Sequence, residues 1–213
     1  MKKVFYFFLF VISILNINCN LLQTQSKYTN IIQDNVKTKR YIPVYVDKTF
    51  SESDKLAIDQ SIKEWNYVLN GQIVIEVVSY NFDMEPELIL KARNANGFLI
   101  LNVDSSNSAI PDEQTSGTLT AANKGKVLAW CDRIGGNVMK VVRDRITTDD
   151  IKYIMLHEIG HLLGAQHVDD NQSLMYPYYS KIGYLCVDGG TARVIADRYN
   201  LNFAIMNYCI AKY

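Results

Sequence analysis

Residues 157 to 177 read HEIGHLLGAQHVDDNQSLMYP, and this stretch contains all three histidines of a 213-residue chain. His157 and His161 stand four apart, so on a helix their imidazoles project side by side and reach one ion without distorting the backbone. Glu158 points beside them. His167 cannot join them if the helix runs on, because six residues past His161 it is turned by about 240° and lies about 9 Å further along the axis. The helix therefore has to end first. Gly164 stands where a left-handed residue would reverse the chain and bring His167 back.

Three neutral nitrogen ligands leave one position open for water, the arrangement of a catalytic zinc site and not of a closed structural one. Zinc lowers the pKa of such a water towards neutrality, and Glu158 is placed to take its proton. The chemistry this supports is attack of the zinc-bound water on a carbonyl carbon, with Glu158 passing the proton to a departing amine. One zinc ion is expected, since no histidine remains for a second site.

Composition narrows the rest. Lys+Arg and Asp+Glu number 22 each, so nothing in the charge favours a nucleic acid or a membrane surface as partner. Hydrophobic residues at 48% and charged ones at 21% place the chain among globular proteins, and its length suits one domain. Lys2 and Lys3 precede an apolar run from Val4 to Leu15, so residues 1–18 read as an export signal, too short to span a bilayer as a mature helix. Cys19 follows where a lipoprotein carries its lipidated cysteine. The product is then either secreted or anchored at the cell surface through Cys19, the one membrane contact expected.

Residues 19–39 lack a clear period and read as a linker or short pro-segment, which leaves 40–213 as the functional domain, expected to be a monomer. Without Cys19, Cys131, Cys186 and Cys209 remain, an odd number in a compartment where disulfides persist. A Cys186 to Cys209 bridge tying down the C-terminus is one reading; three free or buried thiols is the other.

Period-2 alternation and β-branched runs predict strands at 40–47, 72–80 and 97–104, and a hairpin of 127–132 with 137–144 across Gly135-Gly136. Helical spacing predicts a helix capped by Ser51 or Ser53 and stopped at Asn70-Gly71. A second is capped by Thr147 or Thr148 and carries the histidines, and a third runs over 191–199. The Ser-, Asn- and Thr-rich segment 105–125 reads as a long surface loop.

The pattern HExxHxxGxxH at 157–167 resembles the metzincin metalloproteases, whose second hallmark is a methionine turn. Met175 in SLMYP (173–177), with Asp170 before it, is similar to the turn of the matrixin branch. The resemblance implies an α+β fold: a twisted, mixed five-stranded sheet with two backing helices and a small C-terminal subdomain with one helix. It implies an exported zinc-dependent endopeptidase acting on proteins or peptides. Met175 would form an apolar floor beneath the metal. LAWC (128–131) would be the edge strand on which extended substrate pairs, giving Leu128 and Ala129 a substrate-binding role. Tyr176 and Pro177 would wall a specificity pocket. Tyr153, four residues before the first histidine, would make its floor shallow, unless it is ordinary core.

Trp130 stands where family members carry a histidine for a structural zinc. Asp104, Asn107, Asp112 and Asn123 offer oxygen ligands of the kind Ca2+ takes, without EF-hand spacing. Asp34 could cover the zinc in a latent form. Two rival readings stay open: a zinc amidase acting on cell-wall peptides, and an inactive surface-binding protein that keeps zinc as a staple.

Overall fold

Alternation in RYIPVYVD and the β-branched run after Gly71 place two parallel strands side by side, β1 (Arg40–Asp47) and β2 (Ile73–Phe82). The helix between them, α1 (Glu52–Leu69), begins at Ser51, whose hydroxyl accepts from the Asp54 amide while the Asp54 carboxylate accepts from the Ser51 amide. It ends at Asn70 in the left-handed conformation. The structure is a computed structural model that describes residues 40–83, 85–94, 96–111, 126–179 and 186–209, and 119–122 by their backbone. All of these belong to the unit that runs from Lys39 to Tyr213. The expected signal and linker segments, with Asp34 and Cys19, lie outside the described residues, as do Asp112 and Asn123.

After β2 come α2 (Pro86–Asn94), β3 (Phe98–Val103), β4 (Leu119–Ala122), β5 (Val127–Cys131) and β6 (Val138–Val142). The helices α3 (Thr148–Leu163) and α4 (Gly189–Tyr199) follow. The sheet order is β2-β1-β3-β6-β5-β4; β5 runs antiparallel to both β6 and β4, and the remaining pairs are parallel. The mixed sheet is thus made of the five expected strands and a sixth.

That sixth strand corrects one expectation. β4 arises inside the segment read as loop, and it pairs along the outer side of β5, with Thr120 opposite Ala129 and Ala122 opposite Val127. Segment 127–131 is therefore not the edge of the sheet. Leu128 and Ala129 are buried between two hydrogen-bonded neighbours, and the free rim belongs to β4.

Successive residues of a strand face opposite sides, and β3 shows what each side meets. Phe98 and Ile100 enter the main core with Trp65, Ile58 and Met155, contributed by α1 and α3. Leu99 and Leu101 face a smaller cluster with Phe82, Val138 and Ala92 of α2. Two long-range contacts fix α1 against α3 and the turn that precedes it. The Trp65 indole N–H donates to the Leu156 carbonyl at 3.0 Å, and Arg143 grips the buried Asp54 carboxylate through Nε at 2.8 Å and a terminal nitrogen at 2.9 Å. Burial alone would raise the Asp54 pKa, but the hydrogen bonds from Arg143, Ser51 and Thr148 bring it below its ordinary value.

At the start of α3 the capping expectation needs a refinement. Thr147 is the N-cap, yet its side chain makes no cap hydrogen bond; the hydroxyl donates to Asp150 Oδ2 instead, while Thr148 joins the Asp54 network. Beyond α3, the chain returns through the methionine turn to α4, and a disulfide joins Cys186 to Cys209.

Candidate active site

The helix α3 is buried along its second half, with His157 and His161 both under 6% exposed and Glu158 fully buried. It stops at Leu163 because Gly164 takes φ 104°, and the amides of Gly164 and Ala165 close back onto the His161 and Gly160 carbonyls. A side chain there would meet a strained backbone and the Cδ and guanidinium group of Arg198. The reversal brings His167 to the other two histidines.

Their Nε2 atoms converge. His161 Nε2 lies 3.1 Å from His157 Nε2 and 3.2 Å from His167 Nε2. The spacing is close to the roughly 3.3 Å that tetrahedral ligands at about 2.0–2.1 Å from zinc would show. The contact between His157 and His161 is not a hydrogen bond. His157 Nδ1 sits 2.6 Å from the Leu174 carbonyl and His161 Nδ1 sits 2.7 Å from the Ala165 carbonyl. A carbonyl only accepts, so each Nδ1 carries its ring's proton and each Nε2 presents a bare lone pair. Lone pairs facing one another in a buried pocket repel unless a cation lies between them.

Burial sets the charge state. Desolvation lowers the His157 pKa to about 3 and that of His161 to about 2, the second also depressed by His157 beside it. His167 is lowered by the same cause. All three are neutral at physiological pH, the form that ligates metal. Among the described residues this trio is the one cluster of three or more such side chains placed to share an ion. The donor set, three neutral imidazoles with two tautomers fixed by carbonyls, fits zinc.

Around the trio, Met175 is buried, and its sulfur packs so closely on Gly160 that a Cβ there would lie 2.7 Å away. Glycine inside HEIGH is thus a packing requirement of the turn below. The Val168 amide donates to the Met175 carbonyl, which holds the chain after His167 over that turn. Cys131 at the end of β5 places its sulfur 3.3 Å from Glu158 Oε2, and the Gly135 amide of the β5–β6 turn donates to the His161 carbonyl at 2.7 Å.

Residues 79–188 match the family model of the matrixins, a span that begins in β2 and ends one residue before α4. The chain belongs to the matrixin family. This matrixin is 39% identical over 56 residues to karilysin of Tannerella forsythia, an alignment that takes in 26% of this chain and 12% of karilysin. It is also similar to metalloproteinase-II from Bacteroides fragilis, at 20% identity and a TM-score of 0.43, over 75% of this chain and 52% of that one. It therefore spans about half, or much less, of the length of these relatives.

The other expected site residues divide. Tyr153 lines a cleft of about 610 Å³ between α1 and α3, with Leu56, Gln60, Asp149, Asp150 and Tyr179. The Tyr179 hydroxyl donates to Asp150 at 2.9 Å, and burial followed by that carboxylate raises its pKa. Tyr176 and Pro177 are half-buried, and the Tyr176 ring lies 5.6 Å from that of Tyr178. Trp130 is buried with Val103, Val127 and Val142, and Lys140 sits over its ring. Asp104 and Asn107 use their side-chain oxygens within their own turns, accepting from Ser106 and from the Ala109 amide.

Sequence reasoning missed Cys131, Gly160, Trp65 and Asp188 as neighbours of the site. Only Gly160 left a local signal, being the residue directly before His161 on a helix, where glycine costs about 1 kcal/mol relative to alanine unless something needs the space.

Proposed function

We propose that this matrixin is an exported zinc-dependent endopeptidase whose metal is held by His157, His161 and His167. The single observation that carries the reading is the convergence of their Nε2 lone pairs, with the Nδ1 protons of His157 and His161 already committed to carbonyls. Family membership supports the same chemistry.

Bound zinc would supply a Lewis acid for the scissile carbonyl and would make the attacking water acidic near neutral pH. The chain's own residues do the rest. Glu158, next to His157 on the same helix, takes the proton from the attacking water and delivers it to the departing amine. Met175, Gly160 and Trp65 keep α3 fixed beneath the ligands, so the three nitrogens stay in register through turnover. Tyr153 and Tyr179 line a cleft of mixed character along the ligand helix, with Leu56 and Ala57 beside Gln60, Asp149, Asp150 and Lys152, and we assign it to a substrate side chain. To Tyr176 and Pro177, in the turn after Met175, we assign the wall of a specificity pocket. Extended peptide then aligns on the sheet rim by main-chain hydrogen bonds, a mode that favours proteins and peptides over small amides.

Export rests on the Lys2-Lys3 and Val4–Leu15 pattern, and Cys19 offers lipid anchoring as the alternative to release. We assign residues 40–213 to one catalytic domain preceded by a signal and a short linker.

The test is cleavage of a mixed peptide library by residues 20–213, with metal analysis of the same sample. One zinc per chain and internal peptide cleavage support the endopeptidase. Zinc with hydrolysis of cell-wall peptides alone would favour an amidase, and zinc without any turnover an inactive binding protein.

A further inference from the structure

The side chain of Asp188 does more than start a helix. It is the N-cap of α4, accepting from the Thr191 amide through Oδ1 at 2.9 Å, and a cap needs nothing further. Its second oxygen reaches beyond α4 as well. Oδ2 accepts from the Leu174 amide at 2.9 Å, from the Ser173 hydroxyl at 3.1 Å and from the Thr191 hydroxyl at 2.8 Å. The Ser173 oxygen in turn accepts from the Met175 amide at 3.1 Å. One carboxylate therefore gathers the backbone of Leu174 and Met175, directly and through Ser173.

The Leu174 peptide has a second face. Its carbonyl is the acceptor for His157 Nδ1 at 2.6 Å. Carboxylate, peptide and imidazole thus form one continuous line: Asp188 polarises the Leu174 amide, whose oxygen fixes the His157 proton on Nδ1, leaving Nε2 for metal. Metal-binding histidines commonly give their other N–H to a carboxylate. Here a peptide group stands between the two. The segment bearing Asp188 is itself pinned, because the Cys209 amide donates to the Val187 carbonyl at 3.0 Å and Cys186 is bonded to Cys209.

We propose that Asp188 is a positioning residue for the metal centre, acting through the Leu174 peptide on His157. The proposal rests on the reading of the three histidines as a zinc site. Its consequence is that metal affinity is set partly by a residue 31 positions away in sequence (188 − 157) that touches no ligand.

Asp188→Asn keeps length and capping oxygen but turns a donor towards the Leu174 amide; Asp188→Ser keeps the cap and is too short to reach it. Zinc affinity is measured by competition with a chromogenic chelator, and thermal unfolding of the metal-free proteins is followed alongside. Both variants are expected to bind zinc about 10- to 100-fold more weakly, a larger loss than the fall in their metal-free midpoints from the missing hydrogen bonds accounts for. Ala196→Gly is the control, since it weakens α4 from within and contacts neither Asp188 nor Leu174; it should lower the midpoint and leave affinity alone. Unchanged affinity in both Asp188 variants overturns the assignment, as does an affinity loss that tracks the midpoint across all three. A parent protein that takes up no zinc overturns the zinc reading itself, a result distinct from either.

Discussion

The sulfur of Cys131 lies 3.3 Å from Oε2 of Glu158 and 3.5 Å from the Glu158 carbonyl oxygen, both partners being buried. Burial, then the charge of Glu158 and the hydrogen bond to it, push the thiol pKa well above its ordinary value, so Cys131 remains a protonated donor. The proposed base is thereby held by a residue from the strand alongside. Cys131→Val removes the donor while adding about one methyl group to the packing, and should lower kcat by about tenfold, equivalent to about 1.4 kcal/mol, with KM and zinc content unchanged. Cys131→Ser should retain most of the rate. Steady-state kinetics on one cleaved peptide check this, and a valine variant at full rate would leave the contact without a role in turnover.

Glu158 and His167 carry separable duties in the proposed site. Glu158→Ala should bind one zinc per chain and lose turnover by a factor of about 10²–10⁴, the range for a general acid–base group. His167→Ala should lose the metal, because two nitrogens alone do not hold it against a chelator. Metal analysis and peptide cleavage on the two variants separate the cases. Unchanged cleavage by Glu158→Ala would sink the proposed mechanism, and full zinc retention in His167→Ala would mean the third ligand is another group.

The buried histidines fix the sign of the pH response of the metal-free protein. Desolvation lowers His157 to about 3 and His161 to about 2 in the fold, against about 6.5 in the unfolded chain. The folded state therefore binds fewer protons than the unfolded one below that value. Their contribution to stability is complete above pH 6.5 and is lost as pH falls from there towards 3. Thermal midpoints of chelator-treated protein between pH 8 and pH 4 should decline most steeply below 6.5. Replacing His161 with Gln removes one of the two groups and should flatten the decline; equal slopes would assign the effect elsewhere.

Much of this fold could be read before any coordinates because its signals are local. The capping box at Ser51 and the left-handed stop at Asn70 bracket α1, and the histidine spacing with Gly164 encodes its own helix end. What escaped was non-local or weakly patterned. α2 buries only Ala92 and leaves Leu88 and Leu90 exposed, so PELILKARN shows no clear face. β4 is four residues, LTAA, defined by pairing with β5 and not by an apolar alternation, which is why 127–131 read as an edge. The contacts of Cys131 with Glu158 and of Asp188 with Leu174 join separate elements, and no periodicity encodes such a meeting. The histidine cluster was legible because its parts lie within one turn and one reversal of each other.

That reversal makes Gly164 the residue on which the ligand set depends. At φ 104° an added Cβ would be strained and would lie 2.3 Å from Arg198 Cδ. Gly164→Ala should therefore cost about 1–3 kcal/mol of stability. The side chain of Arg198 is exposed and flexible, so it gives way, whereas the backbone cannot keep its left-handed turn without penalty. The strain is relieved by letting the chain after Leu163 relax, which carries His167 away from His157 and His161. Zinc affinity should fall together with the metal-free midpoint in Gly164→Ala. Arg198→Ala combined with it should restore little of either, because the penalty is conformational. Substantial rescue by that second change would instead place the cost in the clash with Arg198.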